Sequence, residues 1–435
     1  MSNQIQFTEL LEKVQGDLAI RYSSALSDKA KYEQIKPYIA NYIRKEGLSI
    51  PGVELNELVD NLYTEMVEYS FLTEYLARDD VEEININSWD DVAVTYSNGT
   101  VEKIRHFYDA QHAINIVKRL LANSGMQIDD AIPFAQGHLP NNTRISALKT
   151  PLVDPERGVS VSIRILHHSK ITPNEIIRYG AATHKMFDFI AMLLRYGVSF
   201  VIAGATSAGK TTLLNAILTT IPDSKRIFTI ESGARELSLV RRDEQGNIVN
   251  NVVHTLSRPS TNEEHDISQE DLVVAALRYN PDIVVVGEMR DVEAYAAVEA
   301  ALTGHTVVST VHAFAADAAH TRLALLCQKR FPIDFKLSLM QVAQAFPVVI
   351  YEHKLEDNSR RIMDIAECLL DEHGNRTYRT LFRYVITKNE IINDEYKIEG
   401  HFEQANVMSD SLRTKLIHFG APQSLLERFM DTSMA

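Results

Sequence analysis

Apolar positions recur at three-and-four spacing along residues 5 to 76, most clearly at Leu55, Leu58, Val59, Leu62 and Met66, which predicts a run of helices broken at Pro51-Gly52. The period changes at Val81. VEEININ, DVAVTY and TVEKI alternate apolar and polar residues, and Asn98-Gly99 between the last two is a hairpin signal, so a small sheet is expected. A helix over HAINIVKRLLANSG and more strands follow, the last being GVSVSIRIL at 158–166. HHSKITPN, residues 167–174, keeps neither period and reads as a linker.

Beyond it, strand and helix alternate: helix HKMFDFIAMLLRYG, strand VSFVIAG, a helix from Lys210, strand RIFTI, helix QEDLVVAALRY, strand DIVVVG, helix VEAYAAVEAAL and strand TVVSTV. Strands this uniformly apolar, separated by helices, predict a parallel sheet covered on both faces. The final portion adds the strands FPVVIYEH, RRIMDIAECLL and RTYRTLFRYVI, then two helices broken at Gly420-Ala421-Pro422. The expected fold class is α/β, organised as a helical segment at 1–78, a small α+β domain at 79–166, the linker, and a larger α/β domain with a C-terminal subdomain at 175–435.

Composition narrows the function classes. At 435 residues with 45% hydrophobic and 23% charged positions, the chain matches ordinary globular domains rather than a disordered or membrane-embedded body. Its 44 Lys plus Arg against 58 Asp plus Glu give a formal charge of -14, which argues against nucleic acid as the main substrate. The two cysteines, Cys327 and Cys368, form no CxxC pair, and the first residues carry no secretory-signal pattern. A cytoplasmic location without structural zinc is expected, and, without a cationic amphipathic helix, membrane association would run through a partner protein.

The chemistry is concentrated in the 175–435 region. Gly204, Ala205, Thr206, Ser207, Ala208, Gly209, Lys210, Thr211 and Thr212 fit GxxxxGK[ST] between an apolar strand and a helix-forming run. In that setting, backbone N–H groups wrap phosphates, Lys210 neutralises the β and γ oxygens, and Thr211 ligates magnesium. DIVVVG then ends in Glu288, the only acid at that strand tip, placed to polarise water, to hold a magnesium-bound water, or both. IFTI ends in Glu231-Ser232, with Glu236 close behind, a further carboxylate at the edge where open α/β sheets bind ligands. His305 and His312 flank TVVSTV, and a histidine at a strand end can sense a γ-phosphate.

GATSAGKTTLLNAIL, the acid after IFTI, RYNPDIVVVGEMRDVEA and TGHTVVSTVHA, in this order and spacing, resemble the hexameric ATPases of the type II/type IV secretion superfamily. Within it, the helical N-terminus and SALKTPLVDPERGVSVSIRI are most similar to the Tad-pilus (CpaF-like) and conjugation-type branch. The resemblance implies a small PAS-like domain before a RecA-like P-loop domain, ATP and Mg2+ as cofactors, a homo-hexameric ring, and a polytopic inner-membrane platform protein as partner. It assigns the Walker A segment to residues 204–212, the Walker B acid to Glu288, the acidic box to Glu231 and Glu236, and the histidine box to 303–312. It further implies phosphate-directed arginines at Arg144 and Arg164. Two departures stand out: Ser232 replaces the usual second acid after Glu231, and two cysteines cannot form the four-cysteine zinc insertion of many members. The rival readings are a nucleic-acid translocase and a nucleotide-sensing scaffold that does not hydrolyse.

Overall fold

The computed structural model describes residues 3–21, 34–122, 124–139, 143–165, 171–258, 266–392 and 395–431. The chain divides into two compact units, Met1–His167 and His168–Ala435.

The first unit begins with helices Phe7–Arg21, Ile35–Glu46, Leu55–Val67 and Leu72–Leu76, plus two short parallel strands, β1 (Asn3–Gln4) and β2 (Leu48–Ser49). The helical periodicity turns Leu10, Val14, Leu18, Ile39, Leu58 and Leu62 into one core. A separate core underlies a six-stranded antiparallel sheet built from β3 (Val81–Ser88), β4 (Asp91–Tyr96), β5 (Val101–Lys103), β6 (Phe134–Leu139), β7 (Thr143–Lys149) and β8 (Val159–Ile165), in the order β5-β4-β3-β8-β7-β6. Helix Ala110–Ala122 covers one face with Ile116, Val117, Leu120 and Leu121. Strict alternation buries Thr143, Ile145 and Ala147 of β7, and Val159, Val161 and Ile163 of β8, which leaves the even-numbered residues on the other face.

The second unit carries one nine-stranded mixed sheet. Its strands are β9 (Phe200–Gly204), β10 (Arg226–Glu231), β11 (Asn251–Leu256), β12 (Ile283–Val286), β13 (Thr306–His312), β14 (Val348–Lys354), β15 (Arg360–Leu370), β16 (Arg376–Ile392) and β17 (Glu395–Gln404), ordered β11-β10-β12-β13-β9-β14-β15-β16-β17. From β11 to β14 all neighbours are parallel, and the last three strands continue the same sheet antiparallel. Successive residues of one strand enter opposite layers. Phe200 and Ile202 pack with helices His184–Arg195 and Lys210–Leu218, whereas Val201 and Ala203 pack with Gln269–Ala276, Glu293–Leu302 and Ala316–Arg330. Burial on both sides explains why these strands are apolar throughout.

Three features differ from the sequence reading. Residues 167–170 of the expected linker lie outside the described residues, and its last residues open a helix. Thr172 and Glu175 form a reciprocal capping box with Pro173 at the first turn, so Pro173–Arg178 is helical. Helices Ala316–Arg330 and Phe335–Ala345 stand where no element was read, because alanine-rich stretches show little polar contrast between their faces. Finally, the three expected C-terminal strands are β14 to β16 of the central sheet, and β17 stands beside them where no strand was read.

Candidate functional site

Parallel strands point their carboxyl ends to one edge, where the chain must leave each strand through a loop, and that edge gathers the sequence motifs. In lateral order, β10 ends at Glu231, β12 leads to Gly287-Glu288, β13 ends at His312, and β9 ends at Gly204, with His312 in register with Gly204. The glycine loop then turns into helix Lys210–Leu218, with Gly209 as its N-terminal cap at φ 111. This backbone angle is open to glycine and costly for any other residue.

Lys210 is buried and bonded inside its own loop: Nζ donates to the Ala205 carbonyl at 2.8 Å and lies 3.3 Å from His312 Nδ1. An ammonium offers only donors, so Nδ1 accepts, and the ring proton sits on Nε2. Nε2 stands 2.8 Å from Glu288 Oε1, a close polar contact without the angle of a hydrogen bond. Burial, and after it the Lys210 charge, lowers the His312 pKa below its ordinary value, which keeps the ring neutral at pH 7. Burial also lowers the Lys210 pKa, with Glu288 and Glu352 opposing. A line of polar groups thus runs from the phosphate loop through His312 to Glu288. On the far side of Glu288, Arg290 pairs with Oε2, and this pairing raises the arginine's pKa. The buried Glu293 carboxylate accepts from the amides of Arg290 at 2.5 Å and Asp291 at 2.8 Å, which fixes the turn that presents Arg290.

Glu231 is buried, and its Oε1 accepts from the backbone N–H of Glu236 at 2.6 Å and of Leu237 at 2.9 Å. Its Oε2 has no hydrogen-bond partner, and burial pushes the carboxyl up to about 7. Gly287 makes room for it, since a Cβ there would meet Glu231 Cγ at 3.2 Å. The backbone N–H of Glu236 closes the turn over Glu231, and its carboxylate acts through space on Glu231, Lys210 and Arg290.

His305 does not join this edge. It precedes Thr306 at the amino end of β13, and seven residues at ~3.3 Å each put it ~23 Å from His312, at the opposite end of the strand as the flanking positions imply. Flanking one strand places two residues at opposite edges of a sheet. Arg144 and Arg164 belong to the first unit, where they face each other directly across β7 and β8 on the sheet face away from the core. Arg164 also faces Glu83 of β3 on its other side, so this sheet face carries both signs of charge.

Four contributors escaped the sequence reading. Arg290 and Glu293 were signalled only by their nearness to Glu288. Glu352, on β14 beside the glycine loop, and Arg360, which donates from Nε to the Ser207 carbonyl at 3.2 Å, had no motif around them; the one trace was an acid interrupting the apolar run FPVVIY.

The donor set fits a magnesium-bound nucleotide. The loop offers a helix N-terminus and a buried ammonium to phosphate, and Thr211 with Glu288 would supply the few hard oxygen ligands that magnesium takes from protein when phosphates complete its shell.

The chain is similar to several known proteins. An uncharacterized protein of Methanocaldococcus jannaschii is 32% identical over 253 residues, 58% of this chain and 43% of that protein. The type IV secretion system protein PtlH of Bordetella pertussis is 34% identical over 41% of this chain and 52% of its own length. A putative conjugal transfer protein of Mycobacterium tuberculosis is 27% identical over 70% of this chain and 86% of its own. The matched stretch thus spans about half or less of the first two of these relatives. The family described as "Type II/IV secretion system protein" matches residues 66–398, a span that holds both arginines of the first unit and the whole strand-end row of the second, and this chain belongs to that family.

Proposed function

We propose that the chain is a magnesium-dependent ATPase that works as a ring, a homo-hexamer, and powers a secretion or pilus-assembly machine by nucleotide-driven domain motion. The observation that carries this reading is the Lys210, His312 and Glu288 line, which ties the phosphate loop to an acid at a neighbouring strand end. Lys210 would exchange its bond to Ala205 for the β and γ oxygens of ATP. Glu288 would orient the attacking water and take its proton, while neutral His312 relays the state of the phosphate loop to that carboxylate. Magnesium, held through Thr211 and Glu288, supplies charge neutralisation on the phosphates.

Glu231 is the second acid of the site, and its strand lies one place farther from the glycine loop than that of Glu288. Arg144 and Arg164 would add guanidinium charge to the transferred phosphoryl group, which spreads its charge over three oxygens. The working location under this reading is the cytoplasmic face of the membrane, reached through a polytopic platform protein; no helix among the described residues is long and apolar enough to cross a membrane.

The test is phosphate release by the purified full chain with and without magnesium, beside sedimentation with and without nucleotide. Magnesium-dependent release that Lys210→Ala abolishes, from a species of six-chain mass, is expected. Nucleotide binding without turnover would overturn the motor in favour of a sensing scaffold, and strong stimulation by DNA would favour a translocase.

A further inference from the structure

β14 closes the phosphate loop from the side opposite His312. Tyr351 is in register with Ala203 of β9, and the register between β14 and β15 shifts between Tyr351 and Glu352. Such an irregularity re-aims a side chain, and bulges of this sort gather beside active sites. Here it accompanies a carboxyl aimed under the loop: Glu352 is only 4% exposed, and its Oε1 lies 2.6 Å from where a Cβ on Gly209 would stand. Its Oε2 has no hydrogen-bond partner. An acid this deeply buried is costly unless its charge or its shape is used. The basic groups that act on it are Arg360 and Lys210.

Arg360, the first residue of β15, reaches the loop on the same side of Gly209 as Glu352. Its Nε donates to Ser207 O at 3.2 Å, and its Cδ passes 3.0 Å from the same virtual Cβ of Gly209. Ser207 is held at φ 62, a left-handed conformation unusual for a residue with a side chain. The bond from Arg360 therefore falls on the most strained peptide of the loop, while Glu352 fills the space under its last glycine. Strain of this kind persists only where neighbours over-determine it.

We propose that Glu352 and Arg360 are positioning residues that hold the phosphate loop in its nucleotide-accepting shape, Glu352 as the floor beneath Gly209 and Arg360 as the tie on Ser207. This rests on the reading that residues 204–212 bind nucleotide phosphates. The β14–β15 hairpin thereby becomes part of the nucleotide site, although neither residue has to touch the nucleotide.

The experiment measures binding of a fluorescent ATP analogue, steady-state KM and kcat, and thermal melting with and without MgADP, all on the full chain. Arg360→Ala, at an exposed side chain, is expected to raise KM and the analogue Kd about tenfold, the scale of one charge-assisted bond, with kcat within about threefold and the nucleotide-free melting temperature unchanged. Arg360→Lys should recover most of the affinity, since one donor to a carbonyl suffices. Glu352→Ala should raise KM similarly, and the double variant should weaken binding by less than the product of the two single effects, because both act on one loop. Wild-type binding with Arg360→Ala unchanged in KM and Kd would overturn the tie and leave the nucleotide site standing. Equal losses in kcat and in nucleotide-free melting would mean that the two residues only support the fold. Failure of the wild-type chain to bind the analogue would remove both readings together.

Discussion

His320 offers a test of the second unit's core that does not depend on activity. It is fully buried in helix Ala316–Arg330, with Nδ1 at 2.8 Å from the Tyr378 hydroxyl and Nε2 at 2.9 Å from the Phe346 carbonyl. A carbonyl only accepts, so Nε2 carries the proton and Nδ1 accepts from Tyr378, which describes a neutral ring with both nitrogens in use. Burial lowers its pKa from 6.5 to about 4. Because the folded value lies below the unfolded one, the stability this arrangement contributes is complete above pH 6.5 and is lost as pH falls through about 4. A shift of about 2.5 units corresponds to about 3 kcal/mol.

The matching variant is His320→Gln, whose amide can copy both bonds, oxygen to Tyr378 and nitrogen to Phe346, but cannot take up a proton. Urea unfolding of both proteins at half-unit steps from pH 7 to pH 4 should show the wild type losing up to about 3 kcal/mol more than the variant. The difference cancels the titration of the carboxylates common to both chains. Parallel stability curves for the two proteins would refute the neutral buried ring.

Three further outcomes are expected. Glu288→Gln should keep nucleotide affinity and lower turnover by about 10² or more, as read by phosphate release and equilibrium binding, and turnover within a few-fold of wild type would move the role to Glu231. Glu231 should show the opposite pH sign to His320: its carboxyl is raised from 4.5 to about 7, so wild-type stability relative to Glu231→Gln should fall by up to about 3 kcal/mol as pH rises between those values, measured by the same urea series. Arg144→Ala and Arg164→Ala should each lower ATPase turnover, with no rescue by lysine where a planar fork is needed; losses below about threefold in both, with an intact ring by sedimentation, would make these arginines structural.

The glycine loop was legible because its physics is local: a strand, glycines that free the backbone, a lysine and a helix must follow one another in sequence. Glu288 and Glu231 were legible for a similar reason, as acids closing apolar strands. Glu352 and Arg360 were not, because only the crossover that seats β14 beside β9 brings them to residues 207–209, and nothing in a linear pattern announces lateral strand order. The start of helix Pro173–Arg178 was readable: Thr172, Pro173 and Glu175 stand at capping-box spacing, but the broken periodicity around them drew the eye to a linker.

The row of strand ends also bears on how the protein is made. Gly204, Glu231, Glu288, His312 and Glu352 meet along neighbouring strands that the chain supplies in the order β9, β10, β12, β13, β14, while the sheet sets them as β10, β12, β13, β9, β14. β9 is thus inserted between strands that leave the ribosome long after it, and its glycine loop gains one flanking wall only at residue 312 and the second only at residue 352. A nascent chain that exposes the complete GxxxxGKT sequence still has no assembled site until the sheet has closed around its first strand.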